Sequence, residues 1–528
     1  MQRRPLLLGA AAAVATSGRP ASPAFGSQPK VLIHVPQASM ATLDPVWTTA
    51  VVTRNAGAML WETLYGRDER LNPQPQMVEG HRVEDNGRRW TMRLREGLLF
   101  HDGEPVLARD CVASIRRWMK RDLVGQTVEA RLDALEAVDD RTLVFRLSKP
   151  FASLPYALAR TQPTPVIMPE RLAVTDPYRQ VPEFIGSGPF RWVADEYVPG
   201  SRAVFAKFDR YRPRDEPASF CAGGLRVMVD RVEWRFIPDP ATASSALING
   251  EVDWIDQPLP DLLPLLRRSR GVNVEVLDPY GTFGAMRPNS MQGPTANPAI
   301  RRVMLAAIDQ VACMTAAMGD DRSLFRAPVG YFLPGTPSAN DAGMEAVLNR
   351  PGLDEQKRML AATGYNGERI VLMHPTDQSF YHAVTSVVSA SLREVGFNID
   401  EQSMDWGTVV QRRASREPLD RGGWSLFPSG FPAAEYRDPI NATNLRGNGQ
   451  AAWFGWPEDP HVETMRNTWM DSTDEAEQQR LDRQIQARSF ETVPFIPLGQ
   501  YTPPAAYRRN ITGLLKGAVP VFWNVRKD

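Results

Sequence analysis

Short apolar runs alternate with amphipathic segments along most of the chain. Residues 31–35 form a β-branched run typical of a buried strand. Residues 90–95 alternate apolar with polar side chains, which predicts a half-buried antiparallel strand. An amphipathic helix is expected at 112–119, with Asp110 as its N-cap. This succession predicts sheets covered by helices.

Two segments show the order of strands and helices that is typical of a mixed α/β sheet. In the first, a strand at 229–237 precedes a helix at 241–249 and a strand at 251–255. In the second, a strand at 370–374 precedes a helix at 381–395. Because strands that alternate with helices build mixed or parallel sheets, the pattern predicts an α/β fold.

Length and charge narrow the class of protein. A chain of 528 residues exceeds a single domain, so at least two lobes are expected. Hydrophobic residues make up 43% and charged residues 23%, which is the composition of a folded globular protein. Lys+Arg and Asp+Glu are both 61, and this zero net charge gives no support for a nucleic-acid partner.

The N-terminus has the pattern of an export signal. Two arginines, Arg3 and Arg4, precede a short apolar run and then a stretch of small residues. Residues 1–26 are therefore expected to be a signal peptide, and the paired arginines resemble a twin-arginine signal. No cysteine occurs before Cys111, so the lipid-anchoring lipobox is missing. We expect the mature protein to be free in the periplasm.

Motifs for catalysis and cofactor binding are missing from the sequence. It contains no phosphate-binding GxxxxGK[ST] loop, no HExxH and no GxSxG. The six histidines are scattered, with His374 and His382 eight residues apart across a turn, and the three cysteines are widely spaced. We therefore expect no cofactor, no metal and no catalytic residue.

One segment carries a specific family resemblance. Residues 90–106 read WTMRLREGLLFHDGEPV, and further matches follow in order, among them Leu43-Asp44-Pro45, GSGPF at 186–190 and ALINGEVD at 246–253. Together they resemble the peptide/nickel-type extracellular solute-binding proteins of ABC importers, family 5, which include dipeptide and oligopeptide receptors.

The resemblance implies an α/β fold of the two-lobe periplasmic binding protein type, a Venus flytrap of cluster C with mixed sheets and an extra inserted subdomain. Lobe I is expected to comprise residues 27–60, 190–270 and 490–528. The inserted subdomain is expected at 61–189 and lobe II at 271–489.

The same resemblance implies a monomeric receptor that binds a small organic solute or short peptide between its lobes and delivers it to the ABC permease subunits. Such a receptor is not an enzyme. Two alternatives are an exported hydrolase that uses the same cleft, and a carrier of haem or metal.

The ligand is not identified by the sequence. In dipeptide receptors an Asp after a Gly-Trp pair holds the ligand's ammonium, whereas Gly423-Trp424 here is followed by Ser-Leu-Phe-Pro. An unpaired buried ammonium costs several kcal/mol, so this mode of peptide binding is disfavoured. Glu435, Asp438 or Asp405 are nearby acids that could replace the missing one.

Aromatic and cationic residues in the expected interlobe loops are the predicted ligand contacts. A ring that closure buries contributes up to about 5 kcal/mol, although packing in the core is the alternative for each ring. Arginine in a loop can bind a carboxylate in a fork, or pair with an acid of the protein. The predicted set is Trp47, Thr48, Tyr280, Phe283, Arg287, Trp406, Trp424, Phe427 and Arg437.

Overall fold

The computed structural model describes residues 29–40, 42–161 and 164–528. The expected signal peptide at 1–26 lies outside the described residues. None of the helices in the described ranges is long and apolar enough to cross a membrane.

A seven-stranded mixed sheet forms the first region, which we call lobe I. Val31–Val35 lies in its centre and runs parallel to both neighbours. Leu32 packs in one core cluster, whereas Ile33 and Val35 pack in another, so apolar residues cover both faces of the sheet. In spatial order the strands are Val272–Glu275, Ala505–Arg508, Trp254–Ile255, Val31–Val35, Arg231–Arg235, Arg202–Lys207 and Phe190–Trp192.

A six-stranded sheet forms the second region, lobe II. Its strand Ile370–Pro375 is buried throughout, as its continuous apolar run predicts, and it runs parallel to both neighbours. Helices Gln310–Met318 and Ser379–Val395 pack against each other beside this sheet. The strands in order are Phe325–Arg326, Ile496–Tyr501, Thr282–Pro288, Leu426–Pro432, Ile370–Pro375 and Ile399–Met404.

A four-stranded antiparallel sheet forms the third region, the inserted subdomain. Its core also receives Trp469, Met470 and Leu481 from two helices that precede the lobe II strand Ile496–Tyr501. The strands in order are Val78–Glu84, Arg89–Leu94, Thr142–Leu147 and Leu132–Ala137. Two-stranded sheets pair Tyr65–Arg67 with Pro73–Pro75 and Ile511–Thr512 with Arg526–Lys527.

Several helices begin where an acidic or amide side chain precedes proline. Asp239, Asn297 and Asp459 each accept a backbone N–H of the first helical turn. The helices are Val51–Leu60, Ala108–Arg121, Leu123–Glu129, Leu154–Leu158, Glu170–Ala173, Pro240–Asn249, Leu263–Arg268, Pro298–Ala307, Gln310–Met318, Glu345–Leu348, Leu353–Ala362, Ser379–Val395, Trp406–Arg412, Pro460–Asp471 and Glu475–Thr492.

Asp110 differs from its predicted role. The helix begins at Ala108, so Asp110 lies inside the first turn rather than before it. Its carboxylate accepts the backbone N–H of Leu107 at 2.8 Å and that of Glu170 at 2.7 Å. The residue still stabilises the helix start, because an acid in the first turn bonds unpaired N–H groups and complements the helix dipole.

The chain crosses between lobes I and II at two adjacent segments, 276–281 and 502–504. Consequently Val272–Glu275 lies in the lobe I sheet, although lobe II was expected to begin at 271. Likewise, Ile496–Tyr501 lies in the lobe II sheet, although residues from 490 onward were expected in lobe I. Gly281, in the first crossing, has φ of 62°, and a Cβ there would meet the Tyr501 carbonyl oxygen at 2.0 Å.

Candidate functional site

A cavity of about 490 Å³, including its open mouth, lies where lobe I meets the inserted subdomain. Helix Val51–Leu60 contributes Arg54 and Ala58, and the short strand Tyr65–Arg67 contributes all of its residues. Val519 and Trp523 from the C-terminal segment complete an apolar wall. Its open mouth and its mixture of apolar and polar lining residues are typical of small-molecule sites in proteins.

Charged and largely buried side chains line this cavity. Arg54, Arg67, Arg160 and Glu62 are 7%, 0%, 4% and 3% exposed, so their charges are largely removed from water. A buried charge is tolerated only when partners or a ligand compensate it. The hydrogen bonds of each group therefore indicate what the cavity can bind.

Glu435 of lobe II binds two of these arginines. Its carboxylate lies 3.3 Å from Arg67 and 3.1 Å from Arg160, and it accepts a 2.7 Å hydrogen bond from the Thr161 hydroxyl. Burial alone would raise the pKa of the Glu435 carboxyl, but Arg67 and Arg160 hold it below its usual value. This cluster joins lobe II to the inserted subdomain beside the cavity.

Arg160 has further partners on both sides of that junction. It lies 3.3 Å from Asp122, whose carboxylate also caps helix Leu123–Glu129. Its Nη1 donates to the Asn441 side-chain oxygen at 3.0 Å. Burial would lower the pKa of Arg160, but Asp122 and Glu435 raise it above its usual value.

Glu62 is held through one of its two carboxylate oxygens. Oε1 accepts hydrogen bonds from the Tyr211 hydroxyl at 2.8 Å and from Gln76 at 3.1 Å, and Arg95 lies 3.8 Å away. Oε2 has no hydrogen-bond partner in the described part of the chain. Burial raises the pKa of this carboxyl, and Arg95 opposes the shift.

Two acids, one in lobe I and one in the first crossing, interact electrostatically with Arg54. Burial raises the pKa of Asp256 to about 6 and also raises that of Asp278, while the Arg54 charge opposes both shifts. Asp256 follows strand Trp254–Ile255, and Asp278 lies in the crossing at 276–281. The charges of Asp278 and Asp256 in turn raise the pKa of the Arg54 guanidinium, against the larger lowering effect of its burial.

Three of the predicted ligand contacts meet inside lobe II, but as core residues. The Trp424 and Phe427 rings pack edge to face at 4.9 Å, and neither side chain is exposed. Arg287 is also fully buried and donates to the backbone carbonyls of Phe454, Asn444, Pro494 and Trp453. None of the three lines the cavity described above, and in this structure each makes packing or backbone contacts within lobe II.

Phe283 and Trp406 also make contacts within lobe II. Phe283 is 1% exposed and packs edge to face on Tyr436 at 5.4 Å. Trp406 is half-buried and stacks on Tyr381 at 4.5 Å. Neither ring lines the cavity described above.

Trp47 and Thr48 lie before helix Val51–Leu60. The Trp47 indole donates to the Tyr178 carbonyl at 3.2 Å, and the Thr48 hydroxyl accepts the Ala50 N–H at 3.2 Å. These contacts fix the entry to the helix that carries Arg54. Neither Trp47 nor Thr48 lines the cavity.

Tyr280 and Arg437 contact the hairpin of the two-stranded sheet at 65–75. The Tyr280 hydroxyl donates to the Glu69 carbonyl, and Arg437 donates to the Leu71 carbonyl at 2.6 Å. Both predicted residues therefore bridge the crossing or lobe II to the edge of the inserted subdomain.

The three acids expected to replace the missing aspartate have different positions. Glu435 is paired with arginines as described. Asp438 accepts the Ile440 and Asn441 N–H groups, and Asp405 caps helix Trp406–Arg412 through the Thr408 N–H. None of the three lines the cavity.

Four charged residues of the cavity were not predicted from the sequence: Arg54, Glu62, Arg67 and Arg160. Arg54 carried a usable signal, because it is a charged residue within the largely apolar helix sequence VVTRNAGAML. The others are brought to the cavity by loops and a short strand whose meeting depends on the tertiary fold. The histidines show the same effect, since Nε2 of His374 lies 2.7 Å from Nδ1 of His382 despite their sequence separation.

Metal binding and thiol reactivity find little support among the described residues. The described residues contain no group of three or more His, Cys, Asp and Glu side chains arranged to hold a metal ion. Cys111 and Cys313 are buried and free, and Cys221, also free, lines the cavity. Burial raises the pKa of the Cys221 thiol to about 12, so it is not a reactive thiolate at neutral pH.

The chain matches known proteins over most of its length. The family of bacterial extracellular solute-binding proteins, family 5, matches residues 72–453. A probable peptide ABC transporter periplasmic-binding protein, y4tO of Sinorhizobium fredii, is 36% identical over 500 residues, which cover 93% of this chain and 92% of that protein.

Solved structures show the same two-lobe fold. The periplasmic binding protein AgaA of A. tumefaciens R10, in complex with agropinic acid, has a TM-score of 0.76 at 20% identity and covers 94% of this chain and 99% of its own. The dipeptide-binding protein of Pseudoalteromonas sp. SM9913, in complex with Met-Leu, has a TM-score of 0.78 at 18% identity, with coverage of 94% and 100%. The predicted fold class is confirmed.

Proposed function

The chain belongs to the bacterial extracellular solute-binding proteins of family 5, and from this we propose that its solute binds in the cavity lined by Arg54, Glu62 and Arg160. Proteins of this family are the substrate-binding receptors of ABC importers. The receptor function predicted from the sequence is confirmed at this level.

The observation that carries the proposal is a cavity with buried charges at the junction of lobe I, the inserted subdomain and the Glu435 cluster. Charged groups in a buried cavity are costly unless a ligand or a partner compensates them. Arg67 Nε, although fully buried, has no hydrogen-bond partner among the described residues. These groups favour a polar, charged solute with an apolar part for the Trp523 and Val519 wall.

Closure around the solute follows from the two crossings. Segments 276–281 and 502–504 join the lobes side by side, so a small change of backbone angles there swings one lobe against the other. The Glu435 pairs and the Tyr280 bond then form across the junction. We propose that the solute binds in the open form and that these contacts retain it in the closed form.

A short peptide is the first solute class to test. The Sinorhizobium relative is described as a probable peptide transporter component, and the Pseudoalteromonas structure contains Met-Leu. The mature protein should be titrated by calorimetry with a library of dipeptides and tripeptides, and with agropinic acid as a non-peptide probe. A melting temperature that rises with the concentration of one probe supports the receptor site.

The location of the solute is tested by Arg160→Ala together with Arg413→Ala, a cation of lobe II outside the cavity. We expect the first to weaken binding by at least about 10-fold and the second to leave binding within about 3-fold, because Arg160 lines the cavity and Arg413 does not. Equal affinities for wild type and Arg160→Ala would contradict the cavity as the site.

We further propose that the receptor is a monomer that releases its solute unchanged to the permease subunits. The family consists of binding proteins rather than enzymes. After prolonged incubation with a bound peptide, mass spectrometry should recover the peptide intact. Stoichiometric hydrolysis by purified protein would instead support the exported hydrolase.

A further inference from the structure

We propose that His101 is a positioning residue for the solute cavity, because both nitrogens of its ring hold the loop at 186–188 against the end of helix Val51–Leu60. The inference rests on the proposed function, since it concerns the same cavity. His101 lies in a turn after strand Arg89–Leu94 and does not line the cavity itself. It therefore acts on the solute through the residues that it holds in place.

Three hydrogen bonds, which we call the His101 clamp, join this residue to the loop. Its backbone N–H donates to the Gly186 carbonyl at 2.8 Å. The Gly186 N–H donates to Nδ1 of the ring at 3.2 Å, and Nε2 lies 3.1 Å from the Gly188 carbonyl oxygen. Because an amide N–H only donates and a carbonyl oxygen only accepts, Nδ1 is unprotonated and Nε2 carries the hydrogen. The clamp thus requires one neutral tautomer of the imidazole.

The loop in turn contacts the end of the helix. The Gly188 N–H donates to the Leu60 carbonyl at 2.9 Å, and the Trp61 indole donates to the Ile185 carbonyl at 2.9 Å. The next two residues of the chain, 62 and 63, line the cavity. Release of the loop would therefore free the segment that forms this part of the cavity wall.

The surroundings of the ring favour the neutral form. Burial lowers the pKa of His101 to about 4. The bond to Gly188 and the charge of Asp102 oppose this shift, whereas the charge of Arg191 adds to it. Phe208, which packs edge to face on the ring at 5.0 Å, carries no charge. Protonation of Nδ1 would place two donors against each other, so we expect acid to release the loop.

The first test is hydrogen exchange of the ligand-free protein at pH 7, measured by mass spectrometry on peptides that span 183–190 and 57–64. His101→Phe keeps an aromatic ring but cannot bond the loop through it. We expect at least about 10-fold faster exchange in both peptides, because two hydrogen bonds are lost. His101→Gln keeps one donor and one acceptor and should exchange like wild type. His461→Phe, at an exposed histidine of lobe II, is the matched control and should change neither peptide.

Two results of this test would overturn the inference. Unchanged exchange in both peptides of His101→Phe would show that the clamp does not hold the loop. Faster exchange at 183–190 alone would show that the loop does not position the cavity wall.

The second test measures the affinity for Met-Leu by calorimetry at pH 7, with folding checked by circular dichroism. We expect His101→Phe to weaken binding about 3- to 10-fold, because fewer molecules have the cavity wall in place, and His101→Gln to bind within about 2-fold of wild type. Weakening that His101→Gln does not restore would show a packing role and overturn the inference. If wild type does not bind Met-Leu, this dipeptide is excluded as the solute, and the exchange test still decides the role of His101.

The third test is urea denaturation at pH 7 and pH 4.5. The pKa of His101 lies below its ordinary value of 6.5, so its contribution to stability is complete above pH 6.5 and is lost as pH falls towards 4. Between the two pH values, the folding equilibrium constant of wild type should fall about 30- to 100-fold further than that of His101→Gln, which cannot take up the proton. The same pH dependence in both proteins would overturn the neutral clamp.

Discussion

Buried charged side chains in this protein are satisfied by several different kinds of partner. Arg287 in lobe II binds four backbone carbonyls, and burial lowers its pKa to about 9. Arg67 and Arg160 instead pair with Glu435 near the cavity. An arginine saturated by its own backbone is structural, whereas one that borders open space can bind a solute.

Trp424→Ala should destabilise the ligand-free protein by about 3–5 kcal/mol, because the ring is fully buried against Phe427 and Trp456 and its removal leaves a cavity. Trp47→Ala, at a half-buried ring, should cost clearly less. Chemical denaturation measures both losses. If Trp424→Ala costs no more than Trp47→Ala while solute binding is lost, the ring is a ligand surface after all.

Asp482→Asn should change how stability depends on pH. Burial, with the nearby Asp438 charge, raises the pKa of Asp482 to about 7, above the unfolded value of about 3.9. The folded state therefore binds the proton more tightly, and stability falls as pH rises from about 4 through 7, by about 2–3 kcal/mol between pH 5 and 8.

The variant should remove most of this slope and be more stable than wild type at pH 8. Urea denaturation at pH 5 and pH 8 measures the difference. Asp474→Asn replaces an exposed N-cap of the same helix with an equally good cap, and it should leave the slope unchanged. A wild-type slope that persists in Asp482→Asn would contradict the assignment.

At the scale of elements, the loop at 186–189 and helix Val51–Leu60 depend on each other. The Gly188 N–H donates to the Leu60 carbonyl at 2.9 Å, and a Cβ on Gly186 would lie 1.9 Å from the same oxygen. The glycine is therefore required by close approach of two backbones rather than by an unusual φ. This contact fixes the helix end from which Glu62 follows.

Gly186→Ala should destabilise the protein by about 1–3 kcal/mol, because the added methyl forces the loop away from the helix end. Displacement of Glu62 should also weaken solute binding. Gly80→Ala is the matched control, since no atom lies within 4 Å of the added Cβ. Thermal unfolding and calorimetry measure both effects, and equal behaviour of the two variants would contradict the close-contact role.

At the scale of the whole molecule, polar and apolar contacts together join lobe II to the rest of the protein. The two crossings allow movement, while Glu435, Arg437 and Tyr280 bind across the junction. Trp469 and Leu481 also pack into the core of the inserted subdomain. The apparent affinity of such a receptor for its solute depends on the equilibrium between the open and closed forms as well as on the contacts to the solute.

Tyr280→Phe should weaken solute affinity by about 2- to 10-fold, because it removes one hydrogen bond of the closed form. Small-angle scattering should show less compaction at a subsaturating solute concentration. Tyr365→Phe removes a hydroxyl that bonds within lobe II and should leave compaction unchanged. Identical affinity for Tyr280→Phe and wild type would show that the bond does not contribute to closure.

The sequence by itself determined the family, the fold class and the receptor function. The periodicity of residues 31–35 and 370–374 predicted buried strands that the structure contains, and the matches at 90–106 indicated the family that the comparisons confirm. These properties are local in sequence, because a strand or turn is encoded by neighbouring residues. The location of the predicted ligand contacts was not local and stays a prediction.

Only the tertiary structure decided which residues surround the cavity. Trp424 and Arg287 are of the residue types expected in a binding site, yet they are buried inside lobe II. Glu62 and Arg160, by contrast, line one cavity although they are almost 100 residues apart in the sequence. The sheet boundaries at 272–275 and 496–501 also depend on antiparallel pairing between distant strands. Burial and long-range pairing arise from how complete elements pack, so no window of sequence contains them.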